Sequence, residues 1–164
     1  MNPCPCGFYN HPEKTCNCPP GAVTKYLNRI SGPLLDRIDL HVEVTPVAFS
    51  ALASKETIEN SASIRDRVIT ARSIQANRYK GKTGIYANAQ MGSKEMKDIC
   101  QLNEAGQHLL KNAMEKLSLS ARAYDRILKV ARTVADLANS ENIMPEHIAE
   151  AIHYRSLDRE GWGG

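Results

Sequence analysis

Ser31 to Val44 reads SGPLLDRIDLHVEV, and the reading of this stretch decides which fold the flanking sequence completes. Gly32-Pro33 is a turn signal. Leu34, Leu35 and Ile38 supply an apolar anchor beside it. Leu40, Val42 and Val44 then alternate with His41 and Glu43, which is the period of a half-buried strand. A turn feeding a strand is therefore expected. Arg37 falls between two carboxylates, Asp36 and Asp39, where the turn meets that strand. Two readings of it stand together. It is a surface ion pair worth under about 1 kcal/mol, or a guanidinium held on rigid backbone and aimed along one edge of the fold.

Upstream, residues 1–20 carry Cys4, Cys6, Cys16 and Cys18 in the spacing C-x-C-x9-C-x-C. Four thiolates complete a tetrahedral zinc site, and such a site stabilises a loop that has little core of its own. Five prolines stiffen the segment, and Gly7 and Asn10 offer turns. Two C-x-C pairs demand a tighter bite than the usual C-x2-C knuckle. Structural zinc is the preferred reading, with reduced free thiols as its alternative, and His11 reads as a solvated loop residue. Tyr26, Leu27 and Ile30 then share a short helical face that ends at Ser31-Gly32-Pro33. Arg29 lies at the C-terminus of that helix, where a cation suits the dipole.

Downstream, Thr45-Pro46 breaks the strand pattern. Residues 54–79 predict a long helix capped by Ser54, with Ile64, Val68, Ala71 and Ile74 as its stripe. Its arginines (Arg65, Arg67, Arg72, Arg78) do not share a face, which favours a solvated helix between two domains over a dedicated DNA surface. Residues 81–92, GKTGIYANAQMG, lack periodicity and read as a linker loop. From Ser93 the chain is helical. Ser93, Asn103 and Ser120 are candidate caps, and Pro145 suits the first position of a last helix. The stripes are Leu109, Leu110, Ala113, Met114 and Leu117, then Tyr124, Ile127, Leu128, Ala131, Val134, Ala135 and Ala138, then Ile148, Ala151 and Ile152. Four such helices with short connections make a small bundle. Cys100 sits among Ile99 and Leu102 and reads as core, not as a fifth ligand.

Arg122 stands in the first turn of its helix, where a positive charge opposes the macrodipole. A helix start also receives anions well. It therefore reads as a phosphate contact, against the plainer reading of a solvated arginine whose methylenes cover apolar surface.

Composition bounds the function. The 164 residues are 42% hydrophobic and 24% charged, ordinary globular values, with aromatics at only 5%. A net charge of +3 permits a nucleic-acid partner without arguing for one. No apolar run reaches the roughly 18 residues of a membrane span, so no membrane role and a cytoplasmic location are expected. Cysteines in a reducing compartment favour metal over disulfides. No Gly-rich loop precedes a Lys-Ser or Lys-Thr pair, and no carboxylate pair follows an apolar strand. The chain alone is therefore not expected to cradle a triphosphate or hold magnesium.

Three separated stretches, MNPCPCG, GPLLDRIDL and LSARAYDRILKVARTVADL, resemble the magnesium-chelatase-like AAA+ ATPases, in the ComM-like branch of competence and recombination ATPases. The resemblance covers nearly the whole chain. It implies a mainly α protein: a C-terminal remnant of an AAA+ α/β core with one or two strands, followed by a four-helix lid bundle. The division it implies is 1–53 for the end of the core with its zinc loop, 54–92 for a linker, 93–158 for the lid and 159–164 for a tail. It further implies that Arg37 is an arginine finger, Asn2 a sensor-1 residue and Arg122 a sensor-2 arginine. ATP and magnesium in the full-length protein, self-association into a hexameric ring and action on DNA follow from the same likeness. By sequence chemistry alone Asn2 is an ordinary turn residue. The competing reading is a zinc-stabilised helical module that binds nucleic acid through its arginines without ATP.

Overall fold

A computed structural model describes residues 1–42, 44, 47 and 59–155. The chain is mainly α-helical. In order, the helices among the described residues are α1 (Ala22–Leu27), α2 (Gly32–Leu35), α3 (Ser61–Arg78), α4 (Ser93–Ile99), α5 (Glu104–Lys116), α6 (Ala121–Leu137) and α7 (Pro145–His153), with a 3₁₀ turn at Asn88–Gln90. α4 to α7 form the bundle expected from the periodic half of the sequence. α6 is its centre, packed along α7 and against α3, α4 and the 3₁₀ turn.

The apolar register explains why. Ala123, Ile127, Ala131 and Ala135 recur every four residues along α6 and are fully buried. The three alanines let α7 come close, so that Ile148 and Ala151 complete the seam with Ile127. The expected stripe is rotated slightly: Ala123 replaces Tyr124, which is 40% exposed, and Ala138 faces solvent. Ser120 caps α6 by accepting from the Ala123 amide at 3.2 Å, and Asn103 caps α5 by accepting from Gly106 at 2.8 Å. Ser93 does not cap α4. Gly92 precedes that helix, and Glu95 turns back to accept from the Gly92 amide at 3.1 Å. Pro145 opens α7 as expected. A single parallel bridge between Leu102 and Ile143 ties the approaches to α5 and α7.

Cys100 is in the core beside Leu128, and burial pushes its thiol up to about 11. Residues 79–92 are not a loose connection. Tyr79 and Met91 join the hydrophobic cluster, and Asn88 is buried.

No strand forms among the described residues, so the strand expected over Leu40–Val44 is not seen at the positions described. The alternation is inverted there. Leu40, Val42 and Val44 are exposed, Val44 by 87%, while His41 is buried. The reason is a backbone bond: the His41 amide donates to Tyr154 O at 2.8 Å, while the His41 ring lies inward with Nε2 3.3 Å from Leu35 O. Gly32-Pro33 is also more than a stop, because it forms the first turn of α2. The long helix begins at Ser61, with the Asn60 side chain accepting from Ser63 at 2.9 Å. The expected Ser54 cap, Thr45-Pro46 and Trp162 lie outside the described residues. Residues 61–70 of α3 are all exposed, and only its second half meets the bundle, through Ala71 and Gln75.

Candidate functional site

The four N-terminal cysteines converge. Gly7 takes φ 83°, a left-handed turn in which its amide bonds Cys4 O at 3.0 Å, and this folds Cys6 back beside Cys4. The Sγ atoms of Cys4, Cys6, Cys16 and Cys18 all lie within 4.8 Å of one another. Three separations are 3.3 Å (Cys4–Cys6), 3.7 Å (Cys4–Cys16) and 3.6 Å (Cys6–Cys16). A tetrahedral zinc tetrathiolate with bonds of about 2.3 Å has sulfur edges of about 3.8 Å, so the donor set fits that ion. None of the cysteines is in a disulfide. Cys4 is fully buried, and its sulfur accepts from the Tyr9 amide at 3.3 Å. The Phe8 backbone N–H, aided by the Cys4 thiol, holds Cys6 down, whereas at Cys16 and Cys18 the backbone N–H bonds are outweighed by burial and the neighbouring thiols, which raise both groups. His11 is not a ligand in this arrangement. Its Nδ1 accepts from the Glu13 and Lys14 amides at 3.0 and 3.1 Å and so shapes its own turn.

Arg37 is exposed on the turn after α2. It does not pair with Asp36 or Asp39, since its Nη1 donates to Pro33 O at 2.8 Å. Asp39 instead forms an ion pair with Arg126 of α6. This pair brings the Arg37 turn to the face of α6 that carries Arg122, one helical turn earlier. Arg122 is exposed in the first turn of α6 and makes no hydrogen bond or ion pair with any described residue. Asn2 is exposed near Gly7 and is not joined to either arginine by a contact among the described residues. Arg29 lies over the Tyr26 ring, 5.4 Å from its centroid, which gives it a local packing role.

Two groups escaped the sequence reading. Arg155 is fully buried, and its guanidinium donates to Ile38 O and reaches Leu35 O at 3.5 Å. The other is a buried cluster around Asp136. Arg78 donates to both Asp136 oxygens at 2.7 and 2.5 Å, Arg132 Nε to Oδ1 at 3.1 Å, and Asn88 Nδ2 to Oδ2 at 2.8 Å. Burial alone would raise the Asp136 carboxyl, but the hydrogen bonds from Arg78 and Asn88 outweigh it and hold the group below its ordinary value. The Arg132/Asp136 spacing of four was legible as a helix pair. Nothing local marked it as buried.

Comparison with known proteins places the class. The family described as "Magnesium chelatase, subunit ChlI C-terminal" matches residues 58–155, and "Magnesium chelatase, subunit ChlI" matches residues 1–52. The chain belongs to the magnesium-chelatase ChlI family, within a ComM- and YifB-like group, and corresponds to a C-terminal part of an AAA+-type protein. It is 42% identical over 160 residues to the competence protein ComM of Haemophilus influenzae and 40% identical over 161 residues to the uncharacterized protein YifB of Escherichia coli K12. Each alignment covers 97% of this chain. A Mycobacterium tuberculosis H37Rv protein is 32% identical over 154 residues, covering 94% of this chain. The chain spans about 30% of the length of these relatives. No helix among the described residues is long and apolar enough to cross a membrane.

Proposed function

We propose that this chain completes the nucleotide sites of a ring-forming AAA+ ATPase, with Arg37 reaching the nucleotide of the neighbouring protomer and Arg122 contacting a phosphate from the lid. The observation that carries the reading is the pair of exposed arginines without a carboxylate partner among the described residues, on elements joined by Asp39 and Arg126. A guanidinium not neutralised by a carboxylate is suited to a phosphate, which it grips with a planar fork. Arg37 stabilises charge that grows on the transferring γ-phosphoryl group, while Arg122 is backed by amides at the start of α6. Asn2 orients the attacking water. Magnesium, which neutralises phosphate charge, is held with ATP by the rest of the protein, because the only close group of three or more metal-binding side chains among the described residues is the cysteine cluster. A hexameric ring in the cytoplasm, acting on DNA in branch migration or recombination, is the setting that best suits this motor.

The isolated 164-residue chain is then expected to hydrolyse no ATP above background, since it lacks the phosphate loop. Turnover in a clean preparation that survives Arg122→Ala would overturn the reading. The exposed arginines of α3 favour a second reading, a nucleic-acid module without ATP. Binding of DNA by this chain alone, weakening steeply with salt, would support it. Arg67 already pairs with Glu59 at 2.8 Å, which leaves that face less available to phosphates.

The cysteine cluster is proposed to hold one structural zinc per chain. Metal analysis after purification without chelator should find one equivalent. Cys16→Ser should lose it and expose residues 1–20 to proteolysis, whereas Cys100→Ser should keep it. A metal-free folded chain whose four clustered thiols all react at once with a labelling reagent would remove the site.

A further inference from the structure

We propose that Arg155 is a positioning residue for Arg37, fastening the Arg37 turn to the lid bundle so that the two move as one body. The inference rests on the reading of Arg37 given above. Arg155 directly follows the C-cap of α7, and a fully buried guanidinium is costly unless it is well supplied with acceptors. Its acceptors include backbone carbonyls on both sides of Arg37: Leu35 O, two residues before it, and Ile38 O, the residue after it. Two further ties join the same turn to the same bundle. The His41 amide donates to Tyr154 O at 2.8 Å, and Asp39 pairs with Arg126 of α6.

The division of labour is set by burial. Arg155 is enclosed and donates to backbone carbonyls of the turn, whereas Arg37 is exposed and donates to Pro33 O of its own turn. An exposed arginine on a short turn has no fixed direction of its own. The three ties supply it, and they run to α6 and to the residues that follow α7. Any shift of the bundle is therefore handed to Arg37 through carbonyls that flank it by one or two residues. Lysine cannot replace Arg155 fully, because a single ammonium lacks the two-pronged reach that spans Leu35 O and Ile38 O.

The test uses the full-length assembly. Misplacing a catalytic group by about 1 Å can cost about 100-fold in rate, so Arg155→Met is expected to lower kcat by about that factor with KM for ATP and ring assembly kept. Arg155→Lys should fall between. Hydrogen exchange at residues 35–41 should quicken in Arg155→Met. Mixing this variant with one lacking the phosphate-loop lysine should restore turnover, because an intact finger then meets an intact pocket; damage to the lid as a whole would not be rescued this way. Unchanged exchange at 35–41, or full kcat in Arg155→Met, overturns the proposal. Faster exchange with Arg37→Ala itself fully active would keep the fastening and sink the role of Arg37 instead. If Arg155→Met does not fold, the swap Asp39→Arg with Arg126→Asp decides: each single change should lower kcat and the pair should recover it, and failure of the pair to recover counts against the fastening.

Discussion

Arg37→Ala in the full-length assembly is expected to abolish ATP hydrolysis while each protomer stays folded and still binds nucleotide. An arginine supplied in trans to a transferring phosphoryl group is worth about 10³–10⁵ in rate, or roughly 4–7 kcal/mol. An exposed ion pair would be worth under about 1 kcal/mol. The hydrogen bond that Arg37 makes, to Pro33 O of its own turn, is also a small exposed interaction and contributes little to the fold. The two roles are therefore separated by orders of magnitude in one rate measurement. Arg37→Lys should not rescue, since an ammonium lacks the planar fork. Mixing Arg37→Ala with a variant lacking the phosphate-loop lysine should return part of the activity. Hydrolysis by Arg37→Ala at near the parent rate would make the residue structural.

Asp136→Asn is expected to destabilise the bundle by about 3–5 kcal/mol, because it leaves Arg132, 3% exposed, and Arg78 facing a neutral amide. For a domain of this size that lowers Tm by roughly 10 °C or more. Glu59→Gln is the control. It removes an ion pair whose partners are 57% and 45% exposed and should cost under about 1 kcal/mol. The pH dependence has a definite sign. The Asp136 carboxyl lies below its ordinary value in the folded state. Its contribution is therefore complete above the unfolded value of about 3.9 and is lost as pH falls through the folded one. Asp136→Asn should flatten that acid limb of a stability curve. A loss below about 1 kcal/mol would show that water, not Asp136, satisfies the two guanidiniums.

The parts of this fold legible in the sequence are those governed by short-range rules. Asn103 and Ser120 cap the helices they precede because a side-chain oxygen answers an amide three residues on, and the apolar repeats of α5 to α7 turn towards the core, with the α6 stripe rotated by about one residue. The cysteine spacing likewise carried its own geometry. What failed to show was long-range. Alternation at Leu40–Val44 predicts a strand, but alternation states only that two faces differ; the bond from His41 to Tyr154 chose the other face. Arg78 looked like one of several solvated arginines, and its acceptor lies 58 residues away. Arg155 was given no role, and acceptors for it come from more than a hundred residues earlier. The nucleotide-site roles of Asn2 and Arg37 were named by likeness, that of Arg122 by likeness and by its place at a helix start, and the structure adds their exposure and, for the arginines, the connected elements that present them.

The half-exposed helix α3 has a mechanical consequence. Arg78, at its C-terminal end, is gripped by Asp136, while residues 61–70 stand clear of the bundle. From Arg78 to Ser61 is about 26 Å of helix at 1.5 Å per residue. A rod of that length, clamped at one end, is a lever. Rotating the bundle by about 10° sweeps the far tip through about 4–5 Å, so a small angular change at the arginine clamp becomes a displacement larger than the width of a side-chain contact.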